Sequence, residues 1–80
     1  MKHVVITATA TRQLAQLPAT LRTRIVAKIE SYAATGGGDV KRLRGRDGAR
    51  LRVGNYRVII SEDPVTLRVL AVGHRRDIYT

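Results

Sequence analysis

Six residues in the second half of this 80-residue chain are of types that do chemistry and fall at spacings that could bring them together. They are Arg50, Arg52, Arg57, His74, Arg75 and Tyr79. Arginine carries a planar fork of donors matched to phosphate and carboxylate, and it keeps its proton at any working pH. Arginines at these positions are therefore clamps for an anion, not bases. His74 is the one side chain in the stretch that titrates near neutrality, which suits proton transfer. Tyr79 supplies a flat ring on which a base can stack. Tyr56 also has such a ring, but its alternation with Val53 and Val58 assigns it to the core.

Charge points the same way. Fifteen Lys and Arg stand against six Asp and Glu, a net charge of +9. Residues 41–80 hold ten of the basic groups and four of the acidic ones. The run Lys41, Arg42, Arg44, Arg46, Arg50, Arg52 and Arg57 is interrupted by a single acid, Asp47. A field of this kind attracts polyanions. Lys41, Arg42, Arg44, Arg46 and Arg76 are accordingly candidate contacts to a nucleic-acid backbone.

Other chemistries are disfavoured. The chain has no cysteine, and its two histidines, His3 and His74, lie far apart, so neither a disulfide nor a zinc site is expected. No apolar run approaches the ~20 residues of a membrane span, and the start lacks a leader-like pattern. A soluble cytoplasmic protein with no metal and no cofactor is expected. Glycines 36–38 do not read as a phosphate loop, because no strand precedes them and no Gly-Lys-Ser/Thr follows.

The elements that must position these residues follow from periodicity. His3–Thr7 is a β-branched run and reads as a strand. Ala10, Leu14 and Leu17 form one helical stripe, with Thr7 or Thr9 as N-cap, and Pro18 ends it. Leu21, Ile25, Ile29 and Tyr32 form the stripe of a second helix, to about Ala34. Val40–Gly48 is a basic loop or a short irregular strand. Leu51 and Val53 then alternate with Arg50 and Arg52, and Gly54-Asn55 separates them from Tyr56–Ile60, a two-residue hairpin signature. That turn pairs Val53 with Tyr56, Arg52 with Arg57, Leu51 with Val58 and Arg50 with Ile59. Successive side chains alternate faces, so Arg50, Arg52 and Arg57 share the face opposite Leu51, Val53, Tyr56 and Val58. Like charges directly opposite one another are destabilising, so the cluster implies an anionic ligand. Ser61–Pro64 is a turn, and the largely apolar Thr66–Val72 reads as a central strand. The fold class is α+β: a single domain of residues 1–80, in β-α-α-β-β-β order, with an antiparallel sheet and a helical hairpin packed on one face.

The helical pair ending in Leu-Pro, the segment Leu43–Gly45, LRVGNYRVII at Leu51–Ile60 and VGHRRDIY at Val72–Tyr79 together resemble the RelE/ParE superfamily of bacterial toxin–antitoxin systems, on the RelE side. The resemblance spans nearly the whole chain and implies a RelE-like microbial RNase fold. It implies a ribosome-dependent mRNA interferase in which a ribose 2′-hydroxyl attacks the adjacent phosphate in the A site, without a metal. It assigns catalytic roles to Arg50, Arg52, Arg57, Arg75 and Tyr79, and requires the turn after Val72 to bring His74 and Arg75 to the arginine face. For such a reaction His74 is the candidate base, with the arginines around the phosphorane. The implied partners are the ribosome, mRNA and an acidic, RelB-like antitoxin, which complements a +9 chain. Two alternatives remain: a ParE-like toxin that inhibits DNA gyrase, and a non-catalytic nucleic-acid-binding module.

Overall fold

The computed structural model describes residues 1–45 and 47–78. The elements in order are β1 (His3–Ile6), α1 (Ala8–Ala15), α2 (Ala19–Thr35), β2 (Val40–Arg42), β3 (Ala49–Val53), β4 (Tyr56–Glu62) and β5 (Thr66–His74). The five strands form one sheet in the order β1-β5-β4-β3-β2.

The helices form where the apolar stripes place them. Thr7 caps α1, its hydroxyl accepting from the Ala10 amide at 3.2 Å. Pro18 starts α2 without a side-chain cap. The junction is held instead by Arg22, whose guanidinium donates to the Leu14, Ala15 and Leu17 carbonyls at 3.3–3.5 Å. Carbonyls at and just past a helix C-terminus lack their full set of intrahelical donors. Gly36, with φ of 73°, closes α2 in the left-handed conformation that glycine adopts without penalty. The core is aliphatic throughout. Ala10 and Leu14 from α1 and Ile25, Ile29 and Ala33 from α2 meet Leu51, Val53, Val58, Ile60, Leu67, Val69 and Val72 from the sheet.

The α+β class and the helical hairpin on one face stand as expected, with two additions. Val40–Arg42 is a true edge strand, paired with β3, which makes five strands. The sheet is also mixed, because β1 runs parallel to β5. The helical pair carries the chain to the far edge, and β2 to β5 walk back across the sheet. The last strand therefore arrives beside the first in the same direction, the kind of long crossover a parallel pair requires. Both edges are short, and β2 is charged, which blunts pairing with foreign strands.

β5 carries a bulge. Ile59 faces Ala71 but Ile60 faces Val69, so Leu70 is the extra residue. Beyond Ile6 the outer edge of β5 has no strand beside it among the described residues, and α1 with its N-cap takes that place. The Thr7 amide donates to the Val69 carbonyl at 3.0 Å, the Thr7 hydroxyl donates to the Leu70 carbonyl at 3.1 Å, and the Val72 amide donates to Gln13 Oε1 at 2.6 Å.

Candidate nucleic-acid interface

The hairpin register is the one that Gly54-Asn55 dictates: Val53 opposite Tyr56, Arg52 opposite Arg57, Leu51 opposite Val58 and Arg50 opposite Ile59. Lys41 lies opposite Arg50 across β2–β3 and joins the same face. Lys41, Arg50, Arg52 and Arg57 thus project from the side of the sheet that the helices leave uncovered.

Their surroundings differ. Arg52 Nε contacts Asp39 Oδ2 at 2.6 Å, and the Arg52 amide donates to the Asp39 carbonyl at 2.9 Å. Arg57 is only 8% exposed. One terminal nitrogen donates to the Gly54 and Tyr56 carbonyls at 3.0 and 2.9 Å, while Nε is buried with no partner among the described residues. The expectation of three exposed arginines is therefore corrected at Arg57. The cause is Gly73, its cross-strand partner, over which the chain folds back. A Cβ on Gly73 would stand 3.1 Å from Ile78 Cδ1, a tight approach that glycine leaves open. The returning turn is fixed by the Arg75 amide on the Asn55 carbonyl at 2.8 Å and by the Asp77 and Ile78 amides on the His74 carbonyl at 2.8 and 3.0 Å. Arg75 and Arg76 are exposed on this turn.

His74 is on the other side. It pairs with Tyr56, and the two rings meet edge to face with centroids 5.4 Å apart. Tyr56 packs against the core, so His74 sits at the sheet's end on the helix-covered face, not with the arginines. The bulge explains this correction. In a regular strand Leu67 and Val69 would put Ala71 and Gly73 inward and turn His74 outward. The extra residue at Leu70 inverts the alternation and sends Val72 and His74 inward. His74 Nδ1 accepts the Arg76 amide at 3.2 Å, so the neutral ring carries its proton on Nε2. The open nitrogen is a donor and not the lone pair that a base needs.

Arg44 lies in the exposed β2–β3 connection, which the Leu43 amide closes on the Gly48 carbonyl at 3.1 Å. Gly48 has φ of 106°, and a Cβ there would approach the Ile60 carbonyl oxygen to 2.9 Å. Lys41, Arg42, Leu43, Arg44 and Arg50 line a cleft of about 400 Å³. Arg46 and Tyr79, both expected in the site, lie outside the described residues. Among the described residues no group of three His, Cys, Asp or Glu could hold a metal ion, and no helix is long and apolar enough to cross a membrane.

A larger recess of about 530 Å³ opens where β4 outruns β3, with Tyr32, Arg42, Glu62 and Arg68 in its wall. Glu62 accepts from Lys2 at 2.7 Å and from the Tyr32 hydroxyl at 2.6 Å. The Lys2 bond, followed by the Tyr32 bond, holds the Glu62 carboxyl below its ordinary value. The same bond to Glu62, with burial added, pushes the Tyr32 phenol up to about 12. Asp63 is also lowered, by the amides of Val65 and Thr66. The sequence reading missed this network and the Asp39 counter-ion. Their partners lie many residues apart, and no local pattern marks them.

Comparison with known proteins places this architecture. The family model described as ParE toxin of type II toxin-antitoxin system, parDE, matches residues 4–79. Among solved structures, the RelB-RelE antitoxin-toxin complex from Methanococcus jannaschii contains a chain 30% identical, with a TM-score of 0.76 and 94% of each chain covered. A chain of the RelBE2 toxin-antitoxin complex from Mycobacterium tuberculosis is 28% identical, with a TM-score of 0.81 over 92% of this chain and 98% of that one. A chain of the archaeal RelE-RelB complex from Pyrococcus horikoshii OT3 is 25% identical, with a TM-score of 0.79 over 95% and 97%. Comparison with curated proteins returns no match. A family match spanning almost the entire chain, joined to these shared folds, makes it a member of the ParE toxin family of type II toxin–antitoxin systems, within the RelE/ParE superfamily.

Proposed function

We propose that this toxin is a ribosome-dependent endoribonuclease that cuts mRNA in the A site without a metal. The observation that carries the reading is the row of Lys41, Arg50, Arg52 and Arg57 on one uncovered sheet face. Identities of 25–30% to chains of RelB–RelE complexes support it. In the reaction the ribose 2′-oxygen bonds to phosphorus as the bond from phosphorus to the 5′-oxygen breaks, leaving a 2′,3′-cyclic phosphate. The 2′-hydroxyl proton passes to water, and the departing 5′-oxygen takes one from water.

The protein's share is to align the strand and stabilise charge on the phosphorane. Arg50, Arg52 and Arg75 clamp phosphate oxygens. Arg57 stiffens the hairpin from beneath through its two carbonyl bonds. His74 offers Nε2–H as a donor at the sheet's end. Tyr79 stacks on a base, and Lys41, Arg42, Arg44, Arg46 and Arg76 hold the RNA backbone. An acidic RelB-like antitoxin is the cognate partner, the ribosome and mRNA are the targets, and the cytoplasm is where they meet.

A second reading has its own support. The matching family model is that of ParE toxins, and Arg52 and Arg57 are both engaged within the chain. A ParE-like inhibitor of DNA gyrase would need no catalytic face. The two separate when purified toxin is added to a translating extract, with mRNA ends mapped by primer extension, and in parallel to a gyrase supercoiling assay. Cuts inside A-site codons that disappear with Arg50→Ala support the nuclease. Intact mRNA with blocked supercoiling overturns it in favour of gyrase inhibition.

A further inference from the structure

The two edges of the sheet are unlike. β2, at one end, reads Val-Lys-Arg and borders the basic face. β1, at the other, reads His-Val-Val-Ile and carries no Lys, Arg, Asp or Glu. A β-branched, uncharged edge is a template for a further strand, because its outer amides and carbonyls are unpaired. The His3 amide donates to the Val65 carbonyl and the Thr7 amide to the Val69 carbonyl, so the odd-numbered residues of β1 face β5. Alternation then turns the backbone groups of Val4 and Ile6 outward. The Lys2 amide is bonded to the Ala33 carbonyl and α1 starts at Ala8, so the free edge is residues 4–6.

Side chains mark the same place. Among the described residues the large apolar side chains left exposed are Met1, Val5, Ile6, Val65 and Leu70. All lie along this edge: Met1 leads into β1, the Val65 carbonyl is bonded to His3, and the Leu70 carbonyl to the Thr7 hydroxyl. Charge selects the occupant. Beside the edge Lys2 is held by Glu62, and Arg68 by Asp63. An acidic partner therefore meets no unpaired Lys or Arg on β1 or β5. A second copy of this +9 chain is repelled by the basic face but not by this edge.

We propose that β1 is a dimerisation strand, which pairs antiparallel with β1 of a second copy about a two-fold axis at Val5. In that register the outward groups meet: Val4 and the partner's Ile6 exchange both backbone bonds, and Ile6 and the partner's Val4 do the same. Centring on Val4 or Ile6 instead would call on Lys2 or Ala8, which Ala33 and α1 already occupy. Val5 faces the partner's Val5 as a non-hydrogen-bonded pair, with Cα atoms about 4.5 Å apart. The axis is perpendicular to the sheet, so two five-stranded sheets become one. Both basic faces then open to the same side, one at each end, with the apolar seam between them. The dimer does not depend on what the toxin acts on.

The chain has no cysteine, so one introduced thiol reports the register without competition. Val5→Cys and Ile6→Cys are similarly exposed positions, at 39% and 36%. In a glutathione buffer Val5→Cys should give a covalent dimer. Ile6→Cys should not, because its thiols lie on residues about 8 Å apart, beyond disulfide reach. Equal cross-linking of both, or none at Val5, overturns the register. Analytical ultracentrifugation of nuclease-treated wild-type toxin should show a species of twice the 8.8 kDa chain. Its dissociation constant should fall as KCl screens the like charges. Val5→Lys should weaken it about tenfold, with four cations then gathered at the seam. Thr20→Lys, the same charge on an exposed helix position, should weaken it less than about twofold. A dimer that loosens with salt is bridged by a polyanion and overturns the seam, as does equal weakening by both lysines. If Val5→Lys fails to fold by circular dichroism, the cysteine pair still decides. A toxin monomeric at every concentration and salt overturns the dimer. Protection of the Val4 and Ile6 amides from hydrogen exchange only when an acidic antitoxin is added gives the edge to that partner and overturns it too.

Discussion

The Arg52–Arg57 and Lys41–Arg50 pairs sit on neighbouring strands of one face, yet they are handled in opposite ways. In the inner pair one cation is matched by Asp39 and the other is folded under the chain's own C-terminal turn. In the outer pair both cations stand open to a cleft. The difference teaches that residue type and face do not by themselves identify an anion site. An arginine already bonded to carbonyls serves the scaffold, whereas an unmatched one beside another cation keeps its donors free for an anion.

That contrast can be broken by measurement. The largest expected effect is at the inner pair: Arg57→Met leaves the Gly54 and Tyr56 carbonyls without their donor and costs about 1–3 kcal/mol in urea unfolding. A loss too small to measure would mean that Arg57 is not structural. Next, Lys41→Glu turns the outer repulsion into a cross-strand ion pair. Stability should rise by about 0.2–1 kcal/mol while oligouridylate affinity falls. A fall in both would show the outer pair to be supported by contacts of its own. Asp39→Asn tests the inner offset more gently. Its ion pair with Arg52 is exposed, so stability should drop by less than about 0.5 kcal/mol while RNA affinity rises a few-fold, about that expected from one freed cation.

The last test separates both pairs from the acid response. Glu62 lies below its ordinary value of 4.5 because of Lys2 and Tyr32. A carboxyl lowered by folding contributes stability that is full above its unfolded value and is lost as pH falls through the folded one. Stability should therefore decline below about pH 4.5, and Glu62→Gln should flatten that decline. An unchanged acid limb in the variant would move its origin elsewhere.

Much of this arrangement was legible in residue order. Gly54-Asn55 was enough to set the hairpin pairs, because a two-residue turn leaves one register. The stripes of Ala10 and Leu14 and of Ile25 and Ile29 marked the helical side of the core. What escaped depended on contacts distant in sequence. The parallel pairing of β1 depends on where the chain returns, and Arg57's burial depends on Ile78 settling over Gly73. The side taken by His74 hung on a bulge at Leu70, and an apolar run such as Val69–Val72 does not reveal which residue is skipped.

The bulge also acts as a parity setting for everything after it. Drawing Leu70 into the ladder would leave the sequence of the strand intact while turning its end over, moving His74 to the face of Arg57 and Gly73 to the core side. Closing the bulge at that position exchanges a ring edge against Tyr56 for an imidazole among guanidinium groups. Chains of this architecture could thus differ in the chemistry at the end of the sheet without changing any residue that carries it.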